Sequence, residues 1–125
     1  MRAHTAAVLA ALDAADVHAG LGSRPEAAAG KWAVVYPMGR AEAHSLSQPY
    51  DGFTYTVQVV SVGQGPEQAE WLADKVRATL LAPLSISGRT WLAVEHAAGT
   101  LQRDDAVNPP LYHVSETFRI RSGTA

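Results

Sequence analysis

The run from residue 52 to residue 81, GFTYTVQVVSVGQGPEQAEWLADKVRATLL, leaves the chain few ways to fold. Its first half alternates. Tyr55, Val57 and Val59 fall on one side of an extended chain, and Thr54, Thr56 and Gln58 fall on the other. The second half changes period: Ala69, Leu72, Ala73, Val76 and Leu80 recur at helical spacing, on a helix opened by Glu67 and Gln68. The turn Gly63-Gln64-Gly65-Pro66 separates the two halves. A strand with one apolar side and a helix with one apolar stripe must each bury that surface against another element, which points to a layered α+β domain.

The rest of the chain supplies more elements of the same kind. A helix is expected over about residues 3–15, with Val8, Leu9 and Leu12 as a narrow apolar face. It starts either at Arg2 or behind Thr5 as an N-cap. Asp13 and Asp16 interrupt its apolar run, so it reads as a surface helix and not as a secretory leader. GLGSRP at residues 20–25 breaks it, and residues 26–30 form a loop or a single turn. Residues 31–36 read as a strand that stops at Pro37. Residues 38–51, which include Arg40 and His44, show no sustained period; a loop of that length in a small domain points to function or disorder.

Beyond Ala82-Pro83, which ends the second helix, residues 90–95 alternate, with Trp91, Ala93 and Glu95 opposite Thr90, Leu92 and Val94. A loop over residues 97–110 returns the chain to a last strand at 111–121. That strand places Tyr112, Val114, Phe118 and Ile120 on one face, and His113, Ser115, Thr117, Arg119 and Arg121 on the other. The order α-β-β-α-β-β predicts one domain over residues 1–125, with two helices packed on one face of a four-stranded, mainly antiparallel sheet.

Composition narrows the function classes. With 125 residues, 47% of them hydrophobic, the chain has enough apolar material for one core. It contains no cysteine, so disulfide frameworks and thiolate metal sites are excluded. The net charge of −2 gives no bulk attraction to nucleic acid or an acidic membrane. No apolar run approaches the roughly 20 residues of a membrane span. Arginine far outnumbers lysine, whose only copies are Lys31 and Lys75; with the heavy use of alanine this reflects a GC-rich coding sequence.

No constellation of catalytic or metal-binding residues stands out. The histidines His4, His18, His44, His96 and His113 form no metal-ligand spacing, and they read as solvent-facing or core-edge residues. His96 and His113 approach one another only if their strands pair. Asp104-Asp105 is half a metal loop without further ligands, so it reads as a polar turn. Gly63-x-Gly65 lies between a strand and a helix, as a phosphate loop does, but Gln68 stands where a third glycine belongs and Pro66 removes a donor. Ser85, Ser87 and Thr90 have no His–Asp pair to activate them. Two residues break their local pattern. Glu116 interrupts the apolar face between Val114 and Phe118, so it is either a buried carboxylate with an arginine partner or a residue at a wet sheet edge. Trp71 stands off the helical stripe, and either widens the core face or anchors a subunit contact.

The wording of the chain carries more than its chemistry. Residues 55–63 and 68–81, then Gly88-Arg89, the turn Arg103-Asp104-Asp105 and residues 110–120 together resemble tail terminator proteins of long-tailed phages, especially those of actinobacterial hosts. The N-terminal helix and a strand ending Val34-Val35-Tyr36-Pro37 fit the same pattern. The resemblance implies a structural virion protein with no catalytic residues, cofactor or metal. Such a protein forms a ring, most often a hexamer, that caps the tail tube, ends tube polymerisation and offers a surface to head-completion proteins. DNA passes through the lumen without specific binding, and no membrane is involved. The protein then belongs to the head-proximal end of the virion tail, after assembly in the host cytoplasm. Candidate interface residues are Thr54, Thr56, Gln58, Trp71, Arg40, His44, Arg103, Asp104 and Asp105, with residues 38–51 and 97–110 as loops that order in the ring. Two alternatives remain: a head–tail adaptor of the same virion, and a small-ligand domain or enzyme built on His96, His113 and Glu116.

Overall fold

The computed structural model describes residues 2–26, 30–43 and 52–124, with the backbone alone for residues 40–43. Along the chain run α1 (Arg2–Ala14), β1 (Ala19–Leu21), β2 (Trp32–Ala43), β3 (Gly52–Gly63), α2 (Pro66–Leu80), β4 (Arg89–Ala97), β5 (Leu101–Asp104) and β6 (Leu111–Thr124). The strands lie in the order β1-β2-β3-β6-β4, and β5 shares the outer side of β6 with β4. β1 runs parallel to β2, whereas every other pairing is antiparallel.

The expected four-stranded, mainly antiparallel sheet is therefore corrected: the sheet has six strands and is mixed. Three local causes account for the difference. β1 is only three residues long, too short to show a period. β2 does not stop at Pro37; a bulge between Pro37 and Gly39 absorbs the proline, and pairing with β3 continues to Ala43 opposite Gly52. Proline is tolerated at bulges and on edge strands, and Pro37 has both, because β1 covers β2 only as far as Val35. The expected loop over residues 97–110 contains β5, which pairs Leu101 with Val114 and Asp104 with Leu111, so the turn shrinks to residues 105–110. Of the expected long loop, residues 38–43 are strand, and His44 with the rest lies outside the described residues.

The core forms where the sequence periods meet. Tyr55, Val57 and Val59 of β3 are fully buried, as are Phe118 and Ile120 of β6 and Ala33 and Val35 of β2. They pack against Val8 and Leu12 of α1 and Leu72, Val76 and Leu80 of α2. Full burial of a valine or leucine contributes about 1.5–3 kcal/mol. A charge at Val76 would therefore break the helix–sheet contact. Gly63 lets α2 start this close to the sheet, since a Cβ there would lie 2.7 Å from the Ala69 nitrogen. A bulge between Trp91 and Ala93 breaks the alternation expected of β4, so Trp91 and Val94 both pack against the core and Leu92 is exposed. Both helices cover the Tyr55 face. On the opposite face β3 presents Thr54, Thr56 and Gln58, in register with Arg121, Arg119 and Thr117 of β6.

Candidate functional site

Glu116 is the most unusual side chain of the core. It sits on the helix-covered face of β6 between Val114 and Phe118 and is 1% exposed. One of its oxygens, Oε2, accepts hydrogen bonds from Arg77 Nε at 3.0 Å and His96 Nε2 at 2.5 Å. The other, Oε1, is buried and has no hydrogen-bond partner among the described residues. Of the two alternatives for Glu116, the buried carboxylate with an arginine partner is the one observed; the wet edge is not. Arg77 comes from the polar side of α2 and reaches Asp74 with Nη1, also at 3.0 Å. The hydrogen bond to Glu116 raises the Arg77 pKa above its ordinary value, desolvation opposes it, and the charges of Glu116 and Asp74 add to it. The His96 ring lies 4.9 Å from the Phe118 ring and is largely covered. Both donors of the cluster go to one oxygen of the carboxylate, and the other is left without a partner among the described residues.

Of the polar cluster expected of an enzyme, His96 and Glu116 meet, but His113 does not join them. His96 pairs across from Phe118 and points to the helix side, whereas His113 bonds Gln102 at 3.2 Å on the other face. The phosphate-loop alternative fails on geometry as well. Gln68 Oε1 accepts the Gln64 backbone N–H at 2.7 Å, which takes up a donor at the start of α2, and Glu67 adds a negative charge there. Among the described residues no group of three or more His, Cys, Asp or Glu side chains is arranged to hold a metal ion.

The candidate interface residues spread over three surfaces. Thr54, Thr56 and Gln58 are half-buried in the middle of the helix-free sheet face. Shallow grooves on that face are lined by Thr54, Glu95, Arg119 and Arg121, and by Glu95, Ala97 and Thr117 beside His96. Trp71 lies elsewhere, on the outer side of α2, and is 52% exposed, so it does not widen the core. The ammonium nitrogens of Lys31 and Lys75 each lie 5.1 Å from the centroid of its ring. Arg103 lies next to the end of β5 and pairs with Asp105 at 2.7 Å, while Asp104, the last residue of β5, accepts the Ala106 N–H on Oδ1 at 3.0 Å, so the acidic pair builds a turn. Arg40 lies on β2 opposite Tyr55. His44 lies outside the described residues.

A second buried polar group escaped the sequence. His4, expected to face solvent or the core edge, is 1% exposed and bonds Ser122 Oγ at 2.7 Å, and the same oxygen accepts from Arg89 Nε at 2.8 Å. Desolvation by burial, with the N-terminal charge and Arg89 adding to it, lowers the His4 pKa to about 4. If the Ser122 hydroxyl donates to a neutral His4, the ring proton sits on Nδ1, which is buried without a hydrogen-bond partner among the described residues. Next to it, Thr5 Oγ1 and Tyr55 Oη share a hydrogen bond of 2.7 Å. Hydropathy cannot flag such residues, since they are polar and buried only by virtue of each other.

Neither a protein-family model nor a curated protein matches the chain. The fold does have a counterpart. A chain from the virion of a native gene transfer agent particle superposes with a TM-score of 0.65 at 18% sequence identity, over 94% of this chain and 92% of that one. At that identity the likeness is one of fold. It runs nearly end to end on both chains.

Proposed function

We propose that the chain is a structural subunit of a tailed virion, and that copies of it close into a ring capping the tail tube. The observation that carries this is the near end-to-end likeness of fold to a virion chain, which joins the resemblance in sequence to tail terminators. The chemistry of the chain supports a structural role. Its buried carboxylate is held through one oxygen by Arg77 and His96, and its helix-free sheet face carries a row of polar side chains. In the ring, six copies meet head to tail, an arrangement that closes by rotation. The ring blocks further tube subunits on one side and offers head-completion proteins a surface on the other. A net charge of −2 suits a lumen through which DNA must slide, because a basic lining would hold the phosphate backbone.

Size-exclusion chromatography with light scattering tests the ring. The expected result is a discrete species at a small integer multiple of 13.2 kDa, alone or after addition of tail tubes. A single monomer peak under both conditions, across the accessible concentration range, overturns it.

A further inference from the structure

The two longest border stretches of the sheet are poor candidates for joining copies by strand addition. β2 carries Pro37 and a bulge, and β4 carries a bulge between Trp91 and Ala93. Such features blunt edge strands against pairing with another chain. Side chains offer another route between copies, and two exposed surfaces fit each other.

The first is the aromatic platform on α2. Both lysines of the chain flank the one tryptophan that is exposed, at 5.1 Å each from its ring centroid. Among the described residues neither ammonium makes an ion pair, whereas Asp74, one turn along, is taken by Arg77. Glu67 and Glu70 are the competing acids on the same helix. The second surface is the β5–β6 hairpin tip, residues 105–110. With Asp104 at the end of β5 it is acidic and apolar together, two carboxylates against the one positive charge of Arg103: Asp105 has 71% of its side chain exposed and Val107 is 41% exposed, with two prolines following. Its shape is held by the Arg103–Asp105 ion pair and by the bond from Ala106 N–H to Asp104.

We propose that the hairpin tip of one copy docks on the Trp71 platform of the next, which deepens the ring assembly proposed above and rests on it. Val107 and the prolines cover the indole, and the carboxylates meet Lys31 and Lys75. Tryptophan is the residue type most often found at the energetic centre of interfaces, and charge complementarity sets the orientation. The placement in the fold suits this pairing. Lys31 precedes Trp32, which pairs with Val62 near the end of β3, so the platform lies at that end on the β2 side. Tyr112 pairs with both Gly63 and Arg103, so the tip lies at the same end, beyond β6 on the opposite border. A neighbour placed alongside joins tip to platform with no shift along the strands. Such a contact uses different patches on the two partners, and rotation alone closes it into a ring.

The absence of cysteine permits a direct test. The double variant Lys75→Cys/Val107→Cys, both at solvent-reached positions, is oxidised mildly and compared with Lys75→Cys/Thr56→Cys. The expected result is an intermolecular ladder ending at one closed oligomer, formed at least about tenfold faster than in the control pair. In parallel, Lys31→Glu/Lys75→Glu weakens assembly by about 100-fold or more, whereas Lys31→Arg/Lys75→Arg, which keeps both charges, leaves it within about threefold. A ladder no faster than the control overturns the docking, including where rings still form or where the charge reversal acts through some other acidic partner. Rings at tube ends without the cross-link would leave the proposed function standing and remove only this interface. Cross-linked rings that ignore tubes would do the reverse.

Discussion

Removing Arg77 should cost more than removing the carboxylate it holds. Glu116 is 1% exposed and cannot reach water, whereas the Arg77 side chain is 36% exposed and already touches Asp74. Taking one partner from a fully buried ion pair costs about 3–5 kcal/mol. Here His96 still donates to Oε2 and solvent screens Arg77, which reduces the expected cost of Arg77→Ala to about 2 kcal/mol. Glu116→Leu instead completes the apolar run from Val114 to Phe118, frees Arg77 to turn outward and leaves only the part-exposed His96 without its partner, so stability should change by about 1 kcal/mol. The double variant Arg77→Ala/Glu116→Leu should then resemble Glu116→Leu alone, giving a coupling of about 2 kcal/mol. Urea unfolding followed by far-UV circular dichroism, at a concentration where the protein is monomeric, measures all four proteins. A double variant that loses the sum of two substantial single costs would refute the claim that Arg77 acts by neutralising Glu116.

Three further outcomes follow from the same structure. The folded pKa of His4, about 4, lies below the unfolded value of 6.5, so the unfolded chain binds more protons between those values. Its contribution is complete above pH 6.5, shrinks as the pH falls and is gone below about 4, a span of about 3 kcal/mol at most; His4→Phe should flatten the stability–pH curve in that window. Gly99→Ala should destabilise by about 1–3 kcal/mol, since its Cβ would collide with the Ser115 carbonyl oxygen, and a melting temperature within 1 °C or so of wild type would count against the close approach seen there. Thr5→Val should cost about 1–3 kcal/mol by leaving the buried Tyr55 hydroxyl without its partner, whereas Thr5→Val/Tyr55→Phe should recover most of that in thermal unfolding.

The parts of the fold that were legible in sequence are those where burial follows a period. The alternation at Tyr55, Val57 and Val59 and the stripe from Ala69 to Leu80 are buried residue for residue. β5 was invisible because Leu101, Gln102 and Arg103 are all exposed, so its strand character comes from pairing with β6 and not from hydropathy. β2 was cut short because proline normally ends a strand, and only an edge with a bulge tolerates it. Glu116 announced itself by interrupting an apolar face. Its partner Arg77 did not, because the polar side of an amphipathic helix gives no signal of which residue turns inward. His4 was hidden for a related reason, since its burial depends on Ser122, which lies 118 residues away in sequence. Trp71 was read correctly as standing off the stripe, but only the fold places both lysines beside it.

The most direct measurement is negative-stain imaging of tail tubes mixed with an excess of the purified protein, together with a count of tube subunits added afterwards. The proposed function predicts a ring at one end of each tube and no further elongation from that end. Bare tube ends with undiminished elongation would contradict it.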